Sequence, residues 1–153
     1  MPLKFRIGDS KVLESREVLD GAMIRRRRIT SDGKYRFTTY ERIEMPALVV
    51  RKRGGRKEAF DRDKLLIAVK RSVGKFFSSD LEVEKVVDEV VDRIYSITDE
   101  EITSKQIGES ILDVLAKVNE VAYVRFASVF QEFKTLEEFE QIIREQKRKN
   151  REN

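Results

Sequence analysis

Two groups of basic residues could do chemistry in this chain, and both point to phosphate. Arg25, Arg26, Arg27 and Arg28 stand in a row, led by Ala22, Met23 and Ile24 and framed by Asp20-Gly21 and Asp32-Gly33. With Tyr35 and Phe37 on the return strand, this pattern predicts a hairpin that holds concentrated positive charge where a nucleic-acid backbone can meet it. The plainer alternative is a solvated edge strand whose charge blocks aggregation. The second group, Arg51, Lys52, Arg53, Arg56 and Lys57, surrounds Gly54-Gly55 just ahead of a helix. There the N–H groups of the glycine turn, the positive end of the helix and Lys64 could share an anion. No Walker-type GxxxxGK[ST] run is present, so a basic, solvated hairpin tip is the competing reading.

What is missing narrows the chemistry further. The chain has neither cysteine nor histidine, which removes disulfides, thiol nucleophiles, imidazole acid-base catalysis and zinc sites built from sulfur or nitrogen. Asp99-Glu100-Glu101 reads as a solvated turn, because no second group converges on it. With no catalytic constellation in view, the expectation is a binding protein and not an enzyme.

The elements that position these residues fall into two parts. Lys11 to Val18 and Tyr35 to Glu44 are rich in β-branched, aromatic and alternating charged residues and predict short strands. Met45-Pro46 marks a boundary, since proline biases its predecessor to an extended shape. Beyond it, Ala47 to Arg51 and Lys57 to Phe60 predict a β-hairpin, and Asp61 caps a helix from Arg62 to about Val73 that buries Leu65, Val69 and Val73 and stops near Gly74. Ser79 with Glu82 opens a second helix carrying Val83, Val86, Val87, Val90 and Ile94 inward. Thr103 with Gln106, stapled by Ile102 and Ile107, opens a third that buries Ile107, Ile111, Val114, Leu115 and Val118. Asn119 caps a fourth, Val121 to Phe133, which is apolar on most faces and so is either central or shared with another subunit. Within it Tyr123 and Phe126 read as core, with stacking on an adenine or lining a subunit contact as the sharper alternatives, and Arg125 reads as salt-bridged to a neighbouring carboxylate, with an interface role as its alternative. Thr135 with Glu138 starts the last helix, with a charged, frayed tail from Arg144 onward.

The bulk numbers agree with small folded units. The chain has 153 residues, 40% hydrophobic and 39% charged, and a net charge of +4 with the basic excess concentrated in the front half. No stretch approaches the roughly 20 apolar residues that cross a bilayer, so a cytoplasmic protein with no membrane partner is expected.

Three segments resemble a known family. Ile24 to Arg28, then Phe37-Thr38-Thr39-Tyr40-Glu41, then Val121 to Val129 are similar to the NrdR family of bacterial repressors of ribonucleotide reductase genes, and Val12 to Arg16 resembles a further segment of it. The resemblance covers nearly the whole chain. It implies an α+β fold: a small zinc-ribbon-like N-terminal β-ribbon over 1–46, here without zinc ligands, a mainly helical ATP-cone with a short β-hairpin over 47–137, and a C-terminal helix and charged tail over 138–153. It implies double-stranded operator DNA as partner, ATP or dATP as effector and homo-oligomerisation as the switch. Arg25, Arg26, Arg27 and Arg28 would then meet DNA, with Arg16, Lys34 and Arg36 as weaker phosphate contacts. In the cone the resemblance implies that Val50, Arg51 and Lys52 lie by the nucleotide, with Arg51 and Lys52 on phosphates, Glu58 and Asp61 on base or sugar, Lys64 on the phosphate chain and Ser104 nearby. Gly108 stands where some reductase cones carry an imidazole, and the Arg53-Gly54-Gly55 turn is one residue longer than the family pattern.

One departure from the family is large. Leu3, Arg6, Thr30 and Gly33 stand where the ribbon's four zinc-binding cysteines would be, so no zinc is expected, and Leu3, Phe5, Ile7, Tyr35 and Phe37 must hold the ribbon in its place. That departure supports one rival to the repressor reading, a nucleotide-sensing regulatory subunit that acts on an enzyme without touching DNA, and the arginine hairpin taken alone supports another, an RNA-binding accessory protein.

Overall fold

The computed structural model describes residues 5–18 and 20–152, and the chain divides into two units, Met1–Met45 and Pro46–Asn153. Leu3 lies outside the described residues.

The first unit is a three-stranded antiparallel sheet, β1 (Ser10–Val18), β2 (Met23–Thr30) and β3 (Arg36–Arg42), in the order β1-β2-β3. Two turns with left-handed backbone connect the strands, Asp20-Gly21 at φ 53° and 86°, and the Gly33 turn at φ 74°. The arginine run therefore occupies the middle strand and is paired on both sides, with Arg25 between Arg16 and Tyr40 and Arg27 between Glu14 and Thr38. This corrects the edge-strand alternative, since an interior strand has no open edge to protect. A bulge at Leu13 shifts the β1 register between Val12 and Glu14. Among the described residues of this unit only Met23 and Thr30 are buried. Ile7, expected to help hold the ribbon, is 59% exposed, whereas Phe5 stacks on Phe37 with ring centres 4.5 Å apart.

The second unit joins a small sheet to five helices. Its strands are β4 (Val49–Arg51), β5 (Lys57–Ala59) and β6 (Glu101–Thr103), in the order β5-β4-β6 with β6 parallel to β4. The expected hairpin is thus the edge of a mixed sheet. Of the acidic stretch, Asp99 and Glu100 form an exposed bend and Glu101 opens strand β6, while Ile102, just before the Thr103 cap, is fully buried in the core against which Ile107 packs. The helices are α1 (Arg62–Val73), α2 (Asp80–Ile97), α3 (Ser104–Val118), α4 (Glu120–Phe130) and α5 (Leu136–Glu152).

Side-chain caps fix where these helices begin. Asp61 accepts from the N–H groups of Asp63 and Lys64, Ser79 from Glu82, Asn119 from Ala122, and Thr103 and Gln106 form a reciprocal box. Glu82 reaches past Ser79 to the Ser78 N–H, so that second box is not reciprocal. Gly74 continues in right-handed geometry into a short 3₁₀ turn, Gly74–Phe76, and does not form a left-handed stop. One continuous core runs from Leu48 and Val50 through α1, α2 and α3 to Ala122, Ala127 and Ile142.

Several helix details differ from expectation. Val118, the last residue of α3, is 48% exposed, although Leu115 in the same turn is fully buried. Helix α4 ends at Phe130, turns only Ala122, Tyr123 and Ala127 fully inward, and leaves Val121 and Val129 exposed. Arg125 is exposed, with no ion pair among the described residues. Helix α5 does not fray at Arg144; it continues to Glu152, anchored by buried Ile142 and by Gln146, whose Nε2 donates to the Ala116 carbonyl at 2.8 Å.

Candidate functional site

A cavity of 240 Å³ opens in the second unit where β4, β5, α1, α3 and α4 meet. Val50, Lys52, Glu58, Asp61, Lys64 and Ser104 all line it, together with Gly108 and Phe126. Strand alternation explains who enters. Val50 points inward and is 4% exposed, so Val49 and Arg51 point away. Arg51 is accordingly not brought to the cavity: its guanidinium pairs with Glu101 at 2.6 Å, and Lys57 meets the same carboxylate at 2.7 Å.

At the mouth, one carboxylate organises the cations. Glu58 lies 3.2 Å from Lys52 Nζ, 3.6 Å from Lys64 Nζ and 3.6 Å from Arg56. The hydrogen bond from Lys52 holds the Glu58 carboxyl below the usual range against a desolvation cost, with the charges of Lys52, Lys64 and Arg56 adding to the lowering. An incoming polyphosphate can take over Lys52 and Lys64 from Glu58, which makes the carboxylate an internal stand-in for the ligand's charge. The expected contribution of the helix end and the glycine turn changes. Asp61 already accepts from the first free N–H groups of α1, at 2.9 Å from Asp63 and 3.4 Å from Lys64. The Gly54-Gly55 turn is closed by Gly55 N–H donating to the Lys52 carbonyl at 2.9 Å and does not line the cavity.

The apolar wall was only partly foreseen. Phe126 lines the cavity and stacks with Phe130 at 5.9 Å between ring centres, while Tyr123 is buried elsewhere in the core. Phe130 lies so close to Gly108 that a β-carbon there would sit 2.0 Å from the ring. Glycine at 108 is thus what lets the ring lie on the α3 backbone. Phe60 and Phe130 escaped the sequence reading; the signal for Phe130 was its position four residues after Phe126. Arg62 escaped it too. Its guanidinium bridges Glu84 at 2.7 Å and also Asp88, tying the start of α1, and hence Asp61 and Lys64, to α2.

In the first unit the four arginines divide by face. Arg26 pairs with Glu41, and Arg28 donates to Thr39 Oγ1 at 3.2 Å and to Ser10 Oγ at 3.1 Å. Arg25 and Arg27 point to the opposite face, where neither has a hydrogen bond or ion pair among the described residues. The register puts Arg16, Tyr40 and Arg36 on that same face. Arg16 meets Glu14, and Lys34 sits in the Gly33 turn with its N–H donating to Asp32 at 3.1 Å.

Residues 6–41 match the model of the "Transcriptional repressor NrdR-like, N-terminal domain", and residues 48–136 match that of the "ATP cone domain". The "Transcriptional repressor NrdR" of Dictyoglomus thermophilum is 46% identical over 140 residues, covering 92% of this chain and 93% of that protein. This chain belongs to the NrdR family. Relatives bearing the same name from Streptococcus sanguinis, 43% identical over 136 residues (89% and 87% covered), and Gloeothece citriformis, 44% identical over 144 residues (94% and 80% covered), match with similar completeness.

Against the NrdR pattern the zinc ligands fail on chemistry. Arg6 is a cation, Thr30 a neutral hydroxyl and Gly33 has no side chain, and no cysteine or histidine exists elsewhere in the chain to replace them. No group of three acidic residues among the described residues could hold an ion either. No described helix is long and apolar enough to cross a membrane.

Proposed function

We propose that this protein is a nucleotide-responsive transcriptional repressor of ribonucleotide reductase genes, working in the cytoplasm as a homo-oligomer without enzymatic activity of its own. The cavity between β4, α1, α3 and α4 takes ATP or dATP, with the triphosphate on Lys52 and Lys64, the ribose toward Glu58, Asp61 and Ser104, and the adenine against Phe126. The supporting observation is convergence: residues 50, 52, 58, 61, 64 and 104, far apart in sequence, line one cavity with an aromatic wall.

Coupling runs through α4. The helix contributes Phe126 and Phe130 to the nucleotide site and carries exposed Val121 and Val129 on another face. A ligand that shifts the aromatic pair shifts the surface available for pairing with a second copy, and only the effector's preference for one assembly over another can drive the change. Assembly then decides how many sheets engage tandem operator sites at once. The DNA face is that of Arg25 and Arg27, flanked by Arg16 and Arg36 with Lys34 at the turn, while Arg26 and Arg28 brace the sheet.

Binding to the promoter fragment of reductase genes, measured with dATP, with ATP and without nucleotide at two salt concentrations, tests this. The expected result is nucleotide-dependent binding that weakens steeply with salt. Nucleotide binding without any DNA binding would favour the enzyme-regulating subunit, and preference for RNA over duplex DNA the accessory protein.

A further inference from the structure

We propose that a metal-free clamp of hydrogen bonds and stacked rings takes the place of zinc in this ribbon, making its fold independent of metal supply. A ribbon metal joins two loops that have little core of their own. Here the loops are Arg6 to Ser10 and Thr30 to Tyr35, facing a shared cavity lined by Arg6, Asp9, Thr30 and Asp32 among others.

The second loop is locked by Thr30, one of the unit's two buried described residues. Its hydroxyl donates to Asp32 Oδ1 at 2.5 Å and accepts from the Tyr35 N–H at 3.1 Å, while Asp32 Oδ1 also accepts from the Lys34 N–H at 3.1 Å. Backbone bonds close the same turn, Thr30 N–H to the Tyr35 carbonyl at 2.9 Å and Gly33 N–H to the Thr30 carbonyl at 2.8 Å. One backbone bond crosses between the loops, and two contacts from the flanking strands β2 and β3 support it. Ser31 N–H donates to the Asp9 carbonyl at 2.9 Å, Arg28 donates to Ser10 Oγ at 3.1 Å, and Phe5 stacks on Phe37. The Ser10 hydroxyl donates in turn to the Ile7 carbonyl at 2.6 Å, so Arg28 braces the first loop through it.

The polarity is consistent. Asp32 is held below the ordinary aspartate range, chiefly by the Thr30 hydroxyl and then by the Lys34 N–H, as an anion that accepts and does not coordinate. Arg6 offsets part of the negative charge that Asp9 and Asp32 bring to the same cavity, and no thiolate or imidazole stands there to bind zinc. Where the family has a thiolate-bound ion, this ribbon has backbone and hydroxyl hydrogen bonds, one guanidinium and one carboxylate. Neither chelators nor thiol oxidants have a group to attack.

The test uses the full-length chain expressed in zinc-supplemented medium. Metal content is expected far below one zinc per chain, and amide exchange across residues 10–42 is expected to change less than twofold on adding EDTA or zinc sulfate. Stoichiometric zinc, or exchange accelerated tenfold by EDTA, overturns the proposal. Thr30→Val, which removes the hydroxyl, is expected to accelerate exchange in β2 and β3 roughly fivefold to tenfold, with Thr30→Ser close to the parent. If Thr30→Val unfolds the sheet, a folded Thr30→Ser still supports the clamp; Thr30→Val matching the parent overturns it. The consequence for DNA rests on the repressor reading: affinity for the promoter fragment should be the same within twofold with and without EDTA. Loss on chelation counts against the clamp. Absence of binding before chelation counts against the repressor reading, and the exchange measurement then decides the clamp alone.

Discussion

Both units of this protein gather basic side chains, but they treat them in opposite ways. In the helical unit the cations are held on carboxylates of their own chain: Lys52, Lys64 and Arg56 on Glu58, Arg51 and Lys57 on Glu101. In the N-terminal sheet only alternate members of the arginine run are tied down, and Arg25 and Arg27 have no partner among the described residues. On the proposed function, the contrast lets the same residue types serve different ligands. A small diffusible anion is selected by a preorganised cluster whose internal counter-charge it displaces. A polymer with a charge every few ångströms is met by unpaired charge on a stiff surface.

Breaking this contrast in the sheet should give the largest effect. Replacing Arg25 and Arg27 together with alanine is expected to lower the slope of log affinity for the promoter fragment against log salt by about 2. Arg26→Ala should leave that slope nearly unchanged and lower the thermal midpoint slightly. Equal slopes for the two variants would erase the two-face division.

In the helical unit the largest expected change is in stability. Arg62→Ala removes the cation shared by Glu84 and Asp88, which are 12% and 20% exposed, and should destabilise that unit by about 2 kcal/mol in denaturant titrations. Lys64→Ala should weaken ATP binding roughly tenfold by calorimetry, the worth of a charged hydrogen bond, while Arg51→Ala stays within about twofold because Arg51 faces the other side of its strand. If Arg51→Ala proves the more damaging, the cavity is not the nucleotide site.

The smallest expected effect is electrostatic. Glu58, Glu101, Glu82 and Glu138 are all held below the usual glutamate range, chiefly by hydrogen bonds from Lys52, Lys57, the Ser78 N–H and the Lys134 N–H. Depressed carboxylates contribute stability that is fully present above the ordinary glutamate value of about 4.3 and is lost as pH falls through their lower folded values. The unit should therefore keep its thermal midpoint down to roughly that pH and lose it below, and Glu58→Gln should make the acid limb shallower.

Much of the architecture was legible because it is local. Asp61, Ser79, Thr103 and Asn119 announce helix starts through bonds that span only two or three residues, whereas the unbroken apolar run Ala47 to Val50 hid that Val50 turns inward and Arg51 away. What escaped depends on distant partners. Glu101 to Thr103 forms a strand only because β4, some 50 residues earlier, lies beside it. Arg26 and Arg28 could be separated from Arg25 and Arg27 by period alone, yet which pair is tied down depends on Glu41, Thr39 and Ser10 arriving on one face. Likewise nothing near Gly108 announces that Phe130 will lie on it.

The central claim is that a nucleotide in the cavity below Glu58 changes which copies of the chain associate. Native mass spectrometry of one preparation with dATP, with ATP and with neither, alongside Lys64→Ala, measures this most directly. The expected outcome is a particle mass that depends on the nucleotide in the parent and is insensitive to it at the same concentration in the variant. A parent mass identical in all three conditions would contradict it.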